Sequence, residues 1–87
     1  MRLTQTTQFK KDLKKQIKRN KDPEKVLAVV KILTEGKDLP ESYKDHPLRG
    51  RWLNRRDCHL EPDWILIYMI SPEELRLERT GIHSDLF

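Results

Sequence analysis

Residues 64–70, WILIYMI, form the longest unbroken apolar run in a chain of 87 residues, of which 37% are charged. The run is far shorter than the roughly 20 residues needed to cross a bilayer. Its length, with β-branched and aromatic side chains, marks a strand buried on both faces. Such a strand needs neighbours at both edges and a helical layer over at least one face. Before it, WLNRRDCHL (52–60) reads as a more polar strand, joined to it by the tight connection EPD. After it, SPEE is a turn and LRLERT (75–80) alternates as a third strand. Short turns between consecutive strands predict an antiparallel meander.

The covering layer lies upstream. RLTQ (2–5) is a short strand, and Thr6 or Thr7 offers a hydroxyl to cap a helix. Phe9, Leu13 and Ile17 then recur at four-residue spacing among Lys10, Lys11, Lys14, Lys15 and Lys18, which predicts an amphipathic helix with a basic outer face. Asp22-Pro23 opens a second helix. Its Val26, Leu27, Val29, Val30, Ile32 and Leu33 make it the more buried of the two, and Gly36 suits a left-handed C-cap. Residues 37–51, punctuated by Pro40, Pro47 and Gly50, read as loop. The expected fold is α+β with the order β-α-α-β-β-β. It is a single domain over 1–87, with a helix hairpin (about 6–35) packed on a twisted antiparallel sheet (about 48–87). The sheet's other face is where the polar strand residues point.

Charge narrows the function. The net charge is +4, but residues 1–25 hold nine Lys/Arg against three Asp/Glu, and the rest holds nine against eleven. A basic first helix fits an anionic partner, either nucleic acid or an acidic protein. Cys58 is the only cysteine, so no internal disulfide forms, which agrees with a reducing cytoplasm. The opening MRLTQTTQFKKDLKK lacks the apolar core of a signal peptide, and no segment reads as membrane-spanning.

Chemistry gathers in the second half. Side chains two apart on a strand share a face, so Arg55, Asp57 and His59 are expected on one surface. His46 lies in the preceding loop and His83 just past the last strand, near Asp63, Arg56 and Arg79. Imidazole, carboxylate and guanidinium together are what cleavage of an RNA phosphodiester requires. A base takes the 2′-hydroxyl proton, an acid protonates the leaving 5′-oxygen, and a cation stabilises the charged phosphorane. Histidine serves either proton role near neutrality. Blander roles exist for the same residues. Asp57 can pair with Arg55 or Arg56, Asp63 can cap the turn before Trp64, and Trp52 and Trp64 read as packing residues.

Three ordered motifs, YKDHPLRGRW (43–52), RDCHLEPDWILIY (56–68) and LERTGIHSDLF (77–87), resemble the YafQ type of bacterial toxin in the RelE/ParE superfamily. The resemblance implies a compact RelE-like domain and a ribosome-dependent endoribonuclease. Such an enzyme cuts mRNA in the ribosomal A site, beside 16S rRNA, and is neutralised by a DinJ-like antitoxin. It implies His83 as the main proton-transfer residue, with His46, His59, Asp63 and Asp57 in support. It also implies Phe87 as a base-stacking residue, and Arg79, Arg55 and Arg56 as substrate contacts. The lysines of the first helix would then dock on ribosomal RNA. No metal and no cofactor is expected, because the spacings between the three histidines lack the tight pairs of zinc sites. The alternative is a non-catalytic ParE-like toxin that binds DNA gyrase, a branch without this histidine set.

Overall fold

Thr6 sets the first corner of the chain. Its hydroxyl accepts from the Phe9 N–H at 2.9 Å and donates to the Glu78 carbonyl at 2.7 Å, so one side chain caps a helix and ties it to a distant strand. The computed structural model describes residues 1–87. The elements are β1 (Arg2–Gln5), α1 (Thr7–Lys18), α2 (Glu24–Thr34), β2 (His46–Pro47), β3 (Arg56–Glu61), β4 (Trp64–Ile70), β5 (Glu74–Gly81) and α3 (His83–Leu86). Single 3-10 turns occupy Glu41–Tyr43 and Gly50–Trp52. The second helix opens as expected, with the Glu24 N–H donating to Asp22 Oδ1 at 2.9 Å, and Gly36 closes it at φ +75°.

One five-stranded sheet runs in the order β1-β5-β4-β3-β2. The run WILIYMI is β4, paired antiparallel on both sides, and Trp64 to Tyr68 are all buried. The sheet is not wholly antiparallel: β1 pairs parallel with β5, Leu3 opposite Leu75 and Gln5 opposite Leu77. A register between the two ends of the sequence leaves no local signal. On one face, Phe9, Val26, Val29, Val30 and Leu33 pack onto Cys58, Leu60, Trp64, Leu66, Tyr68, Leu75 and Leu77. The opposite face, where the polar strand residues are expected, also holds an apolar patch. Ile65 and Ile67 are covered there by Leu86, with Leu48 and Trp52 beside them.

Three further differences from the expected fold have physical causes. The first helix buries Phe9, Asp12 and Gln16, while Ile17 stays 45% exposed. β1 stops opposite Leu77, so the rest of β5 has a free edge, which α1 closes. Asp12 accepts there from the Thr80 N–H at 3.2 Å and from Arg79 Nε at 2.7 Å. Second, the strand expected over 52–60 begins only at Arg56. Gly50 (φ +64°) and Asn54 (φ +69°) turn the chain before it, which Trp52 and Leu53 do not reveal. Third, two stretches expected as loop or tail are ordered: His46–Pro47 is an edge strand, where proline is tolerated, and His83–Leu86 is a helical turn.

Candidate active site

Three histidines reach one place from three separate stretches. The short β2 lies against β3 with His46 directly opposite Asp57. Along β3, Asp57 and His59 face the same side, opposite Ile67 and Ile65 of β4. A register shift between His59 and Glu61 turns the chain into the Pro62-Asp63 corner. β5 ends at Gly81, and α3 opens with His83 above that corner.

The hydrogen bonds fix the same tautomer in all three rings. His83 Nδ1 lies 2.5 Å from Asp63 Oδ1, which also accepts the His83 backbone N–H at 3.0 Å. His59 Nδ1 donates to the Pro62 carbonyl at 3.1 Å, and His46 Nδ1 donates to the Lys44 carbonyl at 2.8 Å. A carbonyl or carboxylate oxygen only accepts, so the bonding proton sits on Nδ1 in each case. Nε2 is thereby the nitrogen free to take a proton, or to give one when the ring is charged. The rings of His59 and His83 are 5.7 Å apart between centroids and tilted by 52°, and Phe87 follows at 6.3 Å from His83. His83 and Asp63 are open to solvent, their side chains 56% and 62% exposed.

Two carboxylates sit in opposite environments. The backbone and ring N–H groups of His83 hold the Asp63 carboxyl below the usual range. Burial pushes Asp57 up, against the opposing pull of His46, His59 and His83. Asp57 Oδ1 lies 3.1 Å from His46 Nδ1, but that N–H is directed at Lys44, so the buried oxygen has no hydrogen-bond partner. Asp57 pairs with no arginine. Cys58 faces the core, and burial raises its thiol well above the ordinary value.

The arginines are dispersed. Arg56 lies on the opposite face of β3 from the histidines, within 3.2 Å of Asp45. Arg55 precedes the strand and reaches over to Glu78 at 2.8 Å. Arg79 is held by Asp12. Of the expected docking lysines, all exposed on α1, Lys15 is within 3.3 Å of Asp85. Asp85 also accepts from Arg19 at 2.8 Å and from the Ile82 N–H at 3.1 Å, which fastens α3 to α1. Sequence reasoning missed Asp12, Asp45 and Asp85. Asp45 accepts from the Tyr68 hydroxyl at 2.7 Å and anchors the segment carrying His46. Its one available signal was its place beside His46 in YKDH.

Comparison with known proteins matches the whole chain, residues 1–87, to a family described as bacterial toxin of type II toxin-antitoxin system, YafQ. The mRNA interferase toxin YafQ of Escherichia coli strain K12 is 49% identical over 81 residues, 92% of this chain and 88% of that relative. The crystal structure of YafQ from E. coli strain BL21(DE3) superimposes with a TM-score of 0.94 at 45% identity, covering 100% of this chain and 99% of that one. A chain of the E. coli DinJ-YafQ complex gives 0.91 at 46%, with the same coverage.

Proposed function

The chain belongs to the YafQ family of toxins of type II toxin–antitoxin systems, and from that premise we propose that it is a ribosome-dependent mRNA endoribonuclease of RelE-like type. One observation carries the reading: two imidazoles, His59 and His83, stand side by side with Nδ1 anchored and Nε2 free. The message supplies its own nucleophile. The 2′-hydroxyl oxygen attacks the adjacent phosphorus while its proton passes to Nε2 of one imidazole. The P–O5′ bond then breaks as the other ring, charged, donates its Nε2 proton to the departing oxygen. The products are a 2′,3′-cyclic phosphate and a 5′-hydroxyl, and the scheme calls on no metal ion. His83 is the principal proton carrier, oriented by Asp63 in the manner of a carboxylate–histidine pair. His46, backed by the Asp57 carboxyl, completes the wall, and Phe87 supplies a flat surface for a base.

The A site of the ribosome, with its 16S rRNA, positions the message that so small a protein cannot grip alone. The lysines of α1 supply the electrostatic attraction. A DinJ-like antitoxin is the neutralising partner, by likeness to the E. coli DinJ-YafQ complex, and the cytoplasm is the place of action.

Primer extension on a defined message, with and without ribosomes, tests this. Wild type is expected to cut only with ribosomes, and His83→Ala to cut at least about 100-fold more slowly. Undiminished cutting by His83→Ala would refute the role of His83. Intact message together with stalled gyrase–DNA complexes would replace the reading with the gyrase alternative.

A further inference from the structure

Beyond Phe87, away from the proton transfers, a groove of about 380 Å³ opens between the Gly50–Trp52 turn and α3. It is lined by Leu48, Arg49, Arg51, Trp52, Leu86 and Phe87. Its volume is in the range of sites that take one small organic group, roughly 300–1,000 Å³. The two aromatic walls differ in how they are held. Trp52 is half-buried against the cluster of Ile65, Ile67 and Leu86, and the guanidinium of Arg51 lies over its ring at 5.3 Å. Phe87 is 60% exposed, with its ring 6.3 Å from that of His83. Arg49 and Arg51 are exposed, and neither joins any of the ion pairs of the chain. Arg55, Arg56 and Arg79 are all paired with carboxylates.

We propose that this groove is a nucleotide subsite, taking the residue of the message next to the scissile bond. Trp52 and Phe87 flank the base, and Arg49 and Arg51 meet its phosphate. Three features favour RNA over a protein segment. Aromatic rings that line a groove, here the half-buried Trp52 and the exposed Phe87, stack any base, because every base has a π-face. Guanidinium planes both stack and bind phosphate. The groove shares Phe87 with the histidine cluster, so a strand laid across His83 continues into it. The unpaired arginines supply the charge complementarity that an apolar protein segment would leave without a partner. The inference rests on the ribonuclease reading above and assigns roles to Trp52, Arg49 and Arg51, which that reading leaves idle.

Single-turnover cleavage of a defined message on purified ribosomes tests it with three variants. Trp52→Ala is expected to cut about ten-fold more slowly or worse, and Trp52→Phe to keep most of the rate, since a phenyl ring still stacks. Arg49→Ala/Arg51→Ala, a surface change that leaves the core intact, is expected to weaken ribosome binding and flatten its salt dependence. A direct signature comes from 2-aminopurine placed in turn at each position of the A-site codon, with His83→Ala to prevent turnover. Emission is expected to be quenched at one position, and the quench abolished when Trp52→Ala is added. Wild-type rates in all three variants, or no quenched position, would overturn the subsite and leave the ribonuclease reading standing. Weakened antitoxin binding with unchanged cleavage would assign the groove to a protein and equally overturn it. A wild type that cuts no message on ribosomes would remove the ribonuclease reading and this inference with it.

Discussion

Asp63 and Asp57 bring the same carboxyl group into opposite surroundings, and the two respond to change in opposite ways. Asp63 lies in solvent and orients His83. In Asp63→Asn the side-chain amide can donate to the ring and favour the other tautomer, so cleavage is expected to fall about 100-fold or more. The thermal midpoint is expected to fall only slightly, because the group is exposed and its pairing with His83 is screened by solvent; cleavage and melting measured on one preparation check both. Asp57 is buried, with its folded-state pKa raised, so the native protein binds protons more tightly than the unfolded chain. Stability from this group is therefore greatest at low pH and is lost as pH rises through the raised value. Asp57→Asn is expected to gain about 1 kcal/mol near pH 7, and the gain to shrink as the wild-type carboxyl becomes protonated. Urea melts of both proteins over a pH series measure this. Asp63, with its pKa lowered, has the opposite sign: its contribution is present above about pH 4 and is lost as pH falls through the depressed value.

Among the elements, α3 shows why the stretch TGIH (80–83) needs its glycine. A Cβ on Gly81 would meet Asp85 Cβ and Oδ2 at 2.9 Å, in the turn that presents His83. Gly81→Ala is expected to cost about 1–3 kcal/mol in urea melts and to slow cleavage further by displacing His83. At the other side of β5, Asp12→Ala would leave Arg79 and the Thr80 N–H without their partner. A loss of about 3 kcal/mol is expected, read by the same melts. These two residues also mark where the sequence was readable. The caps at Thr6, Asp22 and Gly36 and the strand β4 are local, each decided by a few neighbouring residues. Asp12 carries no local signal of its role, because its partners Arg79 and Thr80 come from the far end of the chain. The parallel pairing of β1 with β5 was hidden for the same reason. Residues 52–55 were misread as strand because Gly50 and Asn54, with positive φ, override an apolar Trp-Leu pair. The grouping of the three histidines came from ordered motifs. No spacing disclosed that each ring would find an acceptor for Nδ1.

At the scale of the whole molecule, charge and chemistry are divided. The lysine-rich surface lies on α1, and all three histidines lie beyond residue 45. Lys15 is partly neutralised by Asp85, which leaves Lys10, Lys11, Lys14 and Lys18 as the α1 lysines outside any ion pair. Changing Lys11, Lys14 and Lys18 to Glu is expected to weaken ribosome association and to lower its log–log salt dependence by nearly one unit for each phosphate no longer neutralised. Sedimentation with ribosomes across a salt series reads this.

The parallel pairing of β1 with β5 gives this division a practical meaning. Residues 2–5 and α1 complete the edge of the strand that leads into His83, so a piece holding all the histidines still lacks what keeps β5 in place. Severed in the loop around Asp38, the chain is expected to give two fragments that are each harmless. Produced together in one cell, they are expected to restore mRNA cutting. A toxin of this build can be made conditional on two molecules meeting, and its poison becomes a report of their encounter.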